Sequence, residues 1–215
     1  MGLQDIEIAG TGAAITPAYL KHWYHQLGIH LVEAYGMTEV CGSICNGPQP
    51  NAPADAVGTA VPYCEVRIDP DSQEILMQAP YQMQGYYKAP EKTAEVIRDG
   101  WIHSGDRGSV DAEGYVRVIG RVKDAFKTSK GQFIVPNPVE EQLAANEYIE
   151  QVCVVGLGCS QPIALLNLSA GGQQLQRQAV EQSLQSALQQ VNTGLARYQQ
   201  VSTMVIDPHP WTEHN

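Results

Sequence analysis

Basic side chains are scarce in this chain of 215 residues, which has 13 lysines and arginines against 23 aspartates and glutamates. A surface that binds nucleic acid neutralises phosphates with clustered lysine and arginine, so a net charge of −10 argues against that class of protein. An acidic protein can still bind a single nucleotide through backbone N–H groups and a few cations. The composition therefore disfavours nucleic-acid binding and leaves nucleotide-dependent enzymes open.

Long apolar runs are also missing, because no stretch approaches the roughly 20 residues that cross a membrane. The segment MGLQD at the start has no signal-peptide character, and Ile6 replaces the serine or threonine of a myristoylation motif. The five cysteines are odd in number and have neither disulfide nor zinc spacing, which predicts reduced thiols. We expect a cytoplasmic protein whose contact with any membrane is peripheral.

The pattern of predicted elements changes near residue 120. Before it we predict strands at 5–9, 29–33, 64–68 and 74–79, helices at 17–27 and 90–98, and a hairpin at 110–119. After it we predict strands at 125–128, 132–135, 151–155, 163–168 and 202–206, and helices at 138–146 and 173–195. With hydrophobic residues at 43% of the chain, both parts can form a core. The second part is predicted to be a small α+β unit.

Two helices carry explicit signals. Thr16 is predicted to cap the first helix, with Pro17 at its first position and Gly28 ending it. In the last helix, apolar residues recur in steps of four, four, three and four, which places them on one face. These residues are Val180, Leu184, Leu188, Val191 and Leu195.

Four blocks of sequence carry the functional signal. They read EAYGMTE at 33–39, GYYKAPEKT at 85–93, GWIHSGD at 100–106, and GRVKD at 120–124 continuing into FKTSKG at 126–131. In this order they resemble the motifs of the superfamily of adenylate-forming enzymes, which includes acyl-CoA synthetases, luciferases and peptide-synthetase adenylation domains. The last block looks most like fatty acyl-CoA ligases.

The resemblance implies a fold and an activity. Residues 1–120 would be the C-terminal part of a large AMP-binding α/β domain with sheet and β-barrel elements, and residues 121–215 the small mobile α+β domain. The family joins a carboxylate to AMP, using ATP and releasing pyrophosphate, and then passes the acyl group to a thiol. We expect a medium- or long-chain fatty acid as substrate, with ATP, Mg²⁺ and coenzyme A.

By the same resemblance, the first block and an earlier loop hold adenine. Tyr35 matches the aromatic residue that stacks on adenine through its flat apolar face, although alone it would equally fit a core position. Gly36 lets the backbone approach the ligand, and Met37 continues this segment. Gly12 and Ala13 match a loop of small residues that borders adenine and the acyl tunnel.

Other matched positions hold ribose, phosphate and metal. An ionised aspartate accepts through two oxygens, so Asp106 suits the two ribose hydroxyls, and its alternative is a turn residue after a glycine. Arg121 offers a planar cation to the ribose and phosphate side. Thr38 resembles the hydroxyl donor to the α-phosphate and Glu39 the carboxylate that holds Mg²⁺, whereas both would also suit a helix start. We predict that Thr38, Glu39 and Arg121 are catalytic.

The last block implies a conformational change. Lys123 lies where the family has a hinge, at which a few residues absorb the change in backbone angles. Asp124, Lys127 and Gly131 belong to the segment that the family presents to its active site for the thioester step. The alternative for Lys127 is a solvated surface charge.

Two family features have no match: an upstream phosphate loop and a lysine near the C-terminus. Because stabilisation of phosphate charge dominates such catalysis, we expect this polypeptide alone to lack synthetase activity and to need the N-terminal part of the same enzyme. Two alternatives remain open: an adenylation module that loads a carrier-protein thiol, and a non-catalytic nucleotide-binding or interaction fragment.

Overall fold

The computed structural model of this protein describes residue 6 and residues 8–47 and 52–212. Its contacts divide the chain into two units, Met1–Val122 and Lys123–Asn215. The beginning of the strand predicted at 5–9 falls outside the described residues. All five cysteines are free thiols. Within the described ranges, no helix is long and apolar enough to span a bilayer.

The first unit is built mainly from strands. In chain order its elements are β1 (Ala9–Gly12), α1 (Ala18–Gln26), β2 (Leu31–Met37), a 3-10 helix (Thr38–Val40), β3 (Gly42–Asn46), β4 (Thr59–Ala60), β5 (Glu65–Ile68), β6 (Glu74–Gln78), α2 (Pro90–Val96), β7 (Ile97–Arg98), β8 (Trp101–Val110) and β9 (Val116–Arg121).

The first sheet has the order β1-β2-β3-β4. Strands β1 and β2 are parallel, with α1 as the crossover between them, and Gly12 lies opposite Ala34. The other pairs, β2 with β3 and β3 with β4, are antiparallel. Because carboxyl ends of parallel strands meet at one edge, the loop after Gly12 lies beside the EAYGMTE segment.

The second sheet has the order β5-β6-β8-β7, with β9 paired to β8, and all its pairs are antiparallel. In the β8–β9 hairpin, Asp106 lies directly opposite Arg121. The apolar side chains of both sheets form one buried cluster: Val40, Ile44, Cys45, Val57, Ile75, Met77, Ala79, Ile102 and Val116. This shared core fixes the ends of β2 and β8 relative to each other.

The second unit is a small sheet covered by helices. Its elements are β10 (Phe126–Lys127), β11 (Phe133–Ile134), α3 (Asn137–Ala144), β12 (Ile149–Val155), β13 (Ile163–Leu168), α4 (Ala170–Gln174), α5 (Arg177–Thr193) and β14 (Thr203–Ile206). The sheet has the order β12-β13-β14, and β10 pairs with β11 alone. Its core combines helix and strand residues: Val139, Leu143, Ile149, Val154, Ala164, Leu166, Val180, Leu184, Val191 and Val201.

The mixed α/β architecture predicted from sequence is confirmed, but three local predictions were wrong. The alternative of Asp106 as a turn residue fails because β8 runs from Trp101 to Val110, past Gly105. Thr16 does not cap α1, since Pro17 occupies the N-cap position. Instead the Thr16 backbone N–H donates to the buried Glu33 carboxylate at 2.7 Å.

The helix predicted at 173–195 begins differently. It is two helices, α4 and α5, because the backbone at Leu175 is extended. Within α4, Gly172 packs so closely that a Cβ would be 2.9 Å from the Tyr148 carbonyl oxygen. The predicted apolar face is confirmed within α5, where Val180, Leu184 and Val191 are buried.

Candidate functional site

An open groove of about 470 Å³ lies where the ends of β1 and β2 meet. It brings together five residues that the sequence singled out from two separate segments: Gly12, Ala13, Gly36, Met37 and Thr38. Its other lining residues are Ala34, Cys41, Gly42 and Ser43. Most of the lining is main chain and small side chains, so the groove can accept a flat group close to the backbone.

Gly36 has a structural role that sequence reasoning missed. A Cβ at this position would lie 1.8 Å from the carbonyl oxygen of Gly42, a contact that no side chain tolerates. The approach is close because β2 and β3 pair irregularly between Tyr35 and Gly36. The glycine is therefore required by strand packing, in addition to any approach of a ligand.

Tyr35, Asp106 and Arg121 form a hydrogen-bonded chain, and Tyr35 lies in β2 between two residues of the groove, Ala34 and Gly36. The Tyr35 hydroxyl donates to Asp106 Oδ2 at 2.8 Å, and Arg121 Nη1 donates to Asp106 Oδ1 at 2.6 Å. The Asp106 side chain is 16% exposed and that of Arg121 is 59% exposed. Each carboxylate oxygen has a further lone pair, so Asp106 can accept hydrogen bonds from a ligand without losing either partner.

The environment keeps the Tyr35 phenol neutral. Burial raises its pKa well above the usual range, and the nearby charge of Asp106 raises it further. A neutral phenol is a hydrogen-bond donor, which matches its contact with the carboxylate. The ring is thereby held in one orientation at the carboxyl end of β2.

Residues around Asp106 hold its backbone in place. The Asp106 N–H donates to Ser104 Oγ at 3.0 Å, and the Gly105 N–H donates to Glu74 Oε1 at 2.8 Å. The other oxygen of Glu74 lies 2.8 Å from His103 Nδ1. Sequence reasoning missed Glu74, whose only signal was its place at the start of a predicted strand. The GWIHSGD block thus supplies support for the aspartate as well as the aspartate itself.

Glu39 lies in the 3-10 helix that follows β2. The hydroxyl of Tyr86 donates to its Oε1, and the Met83 N–H donates to its carbonyl oxygen at 2.8 Å. That bond to Glu39 raises the pKa of Tyr86. Among the residues described, no group of three or more His, Cys, Asp or Glu could hold a metal ion by itself. A cation here would take one carboxylate oxygen from the chain and the rest of its ligands from substrate and water.

The other predicted residues belong to the second unit. Lys123 is its first residue, and Asp124 is exposed. Lys127 lies in β10, with Nζ 5.1 Å from the centre of the Phe133 ring. Gly131 has φ of 79°, which the tight turn between β10 and β11 requires.

Comparison with family models gives a direct result. The model described as AMP-binding enzyme matches residues 2–87, and the model described as AMP-binding enzyme C-terminal domain matches residues 123–213. The chain belongs to the AMP-binding enzyme family. The resemblance to adenylate-forming enzymes inferred from the four sequence blocks is thereby confirmed.

Curated AMP-binding relatives include enzymes named for different acids. A long-chain-fatty-acid–CoA ligase of Mycobacterium bovis, FadD15, is 34% identical over 148 residues, which cover 69% of this chain and 24% of that protein. A feruloyl-CoA synthase of an Amycolatopsis species is 37% identical over 158 residues, covering 68% and 32%. The chain thus spans about a quarter to a third of the length of these relatives.

A solved structure agrees with the fold. The o-succinylbenzoate CoA synthetase MenE from Bacillus subtilis, in complex with its acyl-adenylate intermediate OSB-AMP, matches with a TM-score of 0.78 at 22% identity. The match covers 96% of this chain and 43% of that one. At this level of identity the likeness shows the AMP-binding fold.

Proposed function

We propose that this chain is part of an ATP-dependent acid–thiol ligase and that the groove at the ends of β1 and β2, together with Tyr35, Asp106 and Arg121, binds the nucleotide. The observation that carries the proposal is the junction of two separate motifs. Tyr35 and Asp106 are 71 residues apart and share a 2.8 Å hydrogen bond, and the neighbours of Tyr35 in β2, Ala34 and Gly36, line the groove. Membership of the AMP-binding enzyme family supports the same reading.

The geometry suggests how the nucleotide would be held. The adenine would lie against the Tyr35 ring and the small residues Gly12 and Ala13. The remaining lone pairs of Asp106 would accept the ribose hydroxyls, while Arg121 keeps the carboxylate oriented and offers its exposed guanidinium to the phosphate side. Holding the ribose in this way sets the position of the α-phosphate, which is where the reaction occurs.

The first step of the proposed reaction forms the acyl-adenylate. A carboxylate oxygen of the acid attacks the α-phosphorus, the bond from that phosphorus to the oxygen bridging to the β-phosphate breaks, and pyrophosphate leaves. Thr38 lies in the groove and would donate its hydroxyl to the α-phosphate. Glu39 would hold Mg²⁺, which when bound neutralises phosphate charge.

The second step would use the other unit. A thiol, that of coenzyme A, attacks the acyl carbon and AMP leaves. We assign residues 1–120 to the C-terminal part of the large AMP-binding domain and residues 121–215 to the small mobile domain, with Lys123 as the hinge. Asp124, Lys127 and Gly131 would face the active site in this step, and their exposed turn supports that role.

We infer a medium- or long-chain fatty acid as the substrate and the cytoplasm as the location. The 34% identity to a long-chain-fatty-acid–CoA ligase and the FKTSKG segment support a fatty acid. The 37% identity to a feruloyl-CoA synthase favours a second candidate, an aryl-substituted acid. Free cysteines agree with a reducing compartment.

The test uses the complete protein that the gene encodes. Pyrophosphate release is measured with ATP, Mg²⁺ and a panel of fatty and aryl acids, with and without coenzyme A. We expect acid-dependent release that falls by about 100-fold or more in Asp106→Ala, because the ribose loses its positioning. The acid with the highest kcat/KM identifies the substrate class.

Asp111→Ala is the matched control, since Asp111 also pairs with an arginine of the β8–β9 hairpin, Arg117, at 2.7 Å. Asp111→Ala should leave the rate of pyrophosphate release within a few-fold of the wild-type rate. Equal activity of Asp106→Ala and Asp111→Ala would refute the proposed nucleotide site. Release with aryl acids alone would refute the fatty-acid assignment, and silence with every acid would refute the ligase.

A further inference from the structure

We propose that Tyr86 is a positioning residue for Glu39, and that it holds one carboxylate oxygen so that the other faces a divalent cation bound with the nucleotide. This inference rests on the proposed function and extends it to the GYYKAPEKT block, whose role the site described above leaves open. The structure connects that block to Glu39 through the Tyr86 hydroxyl, and Met83, two residues before the block, makes a second contact. It also explains why the glycine, tyrosine and threonine of the block are needed together.

Contacts from Met83 and Tyr86 fix both the main chain and the side chain of Glu39. The Met83 N–H donates to the Glu39 carbonyl oxygen at 2.8 Å, and the Tyr86 hydroxyl donates to Glu39 Oε1. In the part of the chain that the structure describes, Oε2 accepts no hydrogen bond. One oxygen is thus held by the chain, and the other is available to a hard cation.

The GYYKAPEKT block holds Tyr86 in place through its own backbone. The Tyr86 N–H donates to Thr93 Oγ1 at 2.9 Å, and the Thr93 hydroxyl donates to the Ala89 carbonyl oxygen at 2.9 Å. Gly85 has φ of 149°, and a Cβ there would lie 2.7 Å from Thr93 Cγ2. The glycine therefore permits the close approach of Thr93, and Thr93 fixes the start of the tyrosine.

Glu39 is equally constrained on its side. It lies between Thr38, which lines the groove, and Val40, which is fully buried in the core of the first unit. The main chain at Glu39 therefore has little freedom to follow a displaced Tyr86. Loss of a group that orients a metal-binding carboxylate typically lowers metal affinity by about 10- to 100-fold.

The adjacent residue supplies a matched control. Tyr87 has the same side chain one position later, is 88% exposed, and contacts the nearby Lys88 Nζ through its ring. Tyr86→Phe and Tyr87→Phe each remove one hydroxyl from the same segment. Only the first removes a contact with Glu39, so a difference between them reports on that contact.

The measurement is made on the complete protein with a non-hydrolysable ATP analogue. Mn²⁺ replaces Mg²⁺, and its affinity is measured from the electron paramagnetic resonance signal of free Mn²⁺. We expect Tyr86→Phe to weaken Mn²⁺ binding roughly 10-fold or more, with the metal-free affinity for the analogue unchanged. Tyr87→Phe should match the wild type, and thermal melting checks that both variants fold.

A second pair of variants separates positioning from general damage. In a Glu39→Gln background, Tyr86→Phe should have no further effect on Mn²⁺ affinity, because the carboxylate that Tyr86 orients toward the cation is already replaced by a neutral amide. If Tyr86→Phe and Tyr87→Phe had equal Mn²⁺ affinity, or if Tyr86→Phe weakened Mn²⁺ binding as much in the Gln background as in the wild type, the proposed role of Tyr86 would be overturned. The proposed function would stand in either case. A wild-type protein without metal-dependent nucleotide binding would overturn the proposed function as well.

Discussion

The two units place their candidate functional residues in opposite ways. In the first, Tyr35 and Asp106 come from different sheets and meet through a hydrogen bond across 71 residues of sequence. In the second, Lys127 and Gly131 lie on one short hairpin, and both are exposed. The first arrangement exists only when the whole unit has folded, whereas the second is local.

This difference indicates what each part can do. Side chains held by partners on another sheet are preorganised, which suits the binding of a nucleotide in one geometry. Residues on a short exposed hairpin have few restraints, which suits a segment that meets its ligand only in one step of a reaction. Three substitutions, each with a matched control, measure how strongly the stability of each unit depends on residues of its core and on residues of its candidate site.

The largest effect is expected from Gly36→Ala. Because the new Cβ would meet the Gly42 carbonyl oxygen at 1.8 Å, β2 and β3 cannot keep their pairing. We expect a loss of more than about 4 kcal/mol in the free energy of unfolding, together with loss of nucleotide binding. Urea unfolding and titration with an ATP analogue would measure the two.

Gly10→Ala is the control for this change. It lies in the same sheet, and the nearest atom to its new Cβ is the Val32 carbonyl oxygen at 4.0 Å. It should cost less than about 1 kcal/mol. If Gly36→Ala proved as stable as Gly10→Ala, the candidate site would not depend on the packing of β2 against β3. The contrast drawn between the two units would then be wrong.

Leu143→Ala should give an intermediate effect in the second unit. Leu143 is a fully buried residue of α3 in the core of the second unit, so its truncation leaves a cavity. It should lower the free energy of unfolding of this unit by about 3 kcal/mol, measured from hydrogen exchange of the β12 amides. Lys127→Ala, on the exposed hairpin, should cost less than about 1 kcal/mol, since it loses only a surface contact with Phe133. Similar costs for both would mean that the hairpin is part of the core.

The last effect is confined to alkaline pH and concerns the first unit. Burial raises the pKa of the Cys45 thiol to about 12, from an ordinary value of 9.0. Above pH 9 the thiol ionises in the unfolded chain and stays protonated in the folded one, so this part of the stability is present below pH 9 and is lost as pH rises toward 12. The loss should be about 1.4 kcal/mol per pH unit once the unfolded thiol is ionised.

Comparison of Cys45→Ala with the wild type checks this expectation. Urea unfolding at successive pH values from 9 upward should show a shallower decline in the variant. Cys41→Ala, which removes an exposed thiol from the same unit, should leave the decline unchanged. Parallel curves for the wild type and Cys45→Ala would show that the buried thiol is not the cause.

Residue type and order were enough to predict the family, which is confirmed, and to single out candidate site residues whose roles stay predictions, because each motif is local in sequence. The contacts that join the motifs were not predictable in the same way. Glu74 supports Gly105 from 31 residues away, and Tyr86 reaches Glu39 across 47 residues. Nothing in a single sequence pairs such positions, since each looks like an ordinary surface residue until the sheets form.

Local irregularities of the backbone explain two of the errors in secondary structure. Gly105 has φ of 74° inside a strand, so a glycine that reads as a turn is in fact an irregularity of β8. The periodicity that predicted one long helix extends over α5 only, because Gly172 of α4 packs closely against Tyr148 and the backbone is extended at Leu175. Periodic sequence patterns predicted the regular helices and strands, whereas the irregular segments depend on tertiary contacts that the sequence does not reveal.

The wall of the groove also limits how this site can diverge. Five of its nine lining residues are glycine or alanine: Gly12, Ala13, Ala34, Gly36 and Gly42. Point mutation can only enlarge a glycine, and it can remove no more than one methyl group from an alanine. Inherited change at these five positions therefore narrows the groove more readily than it widens it, and favours narrower ligands.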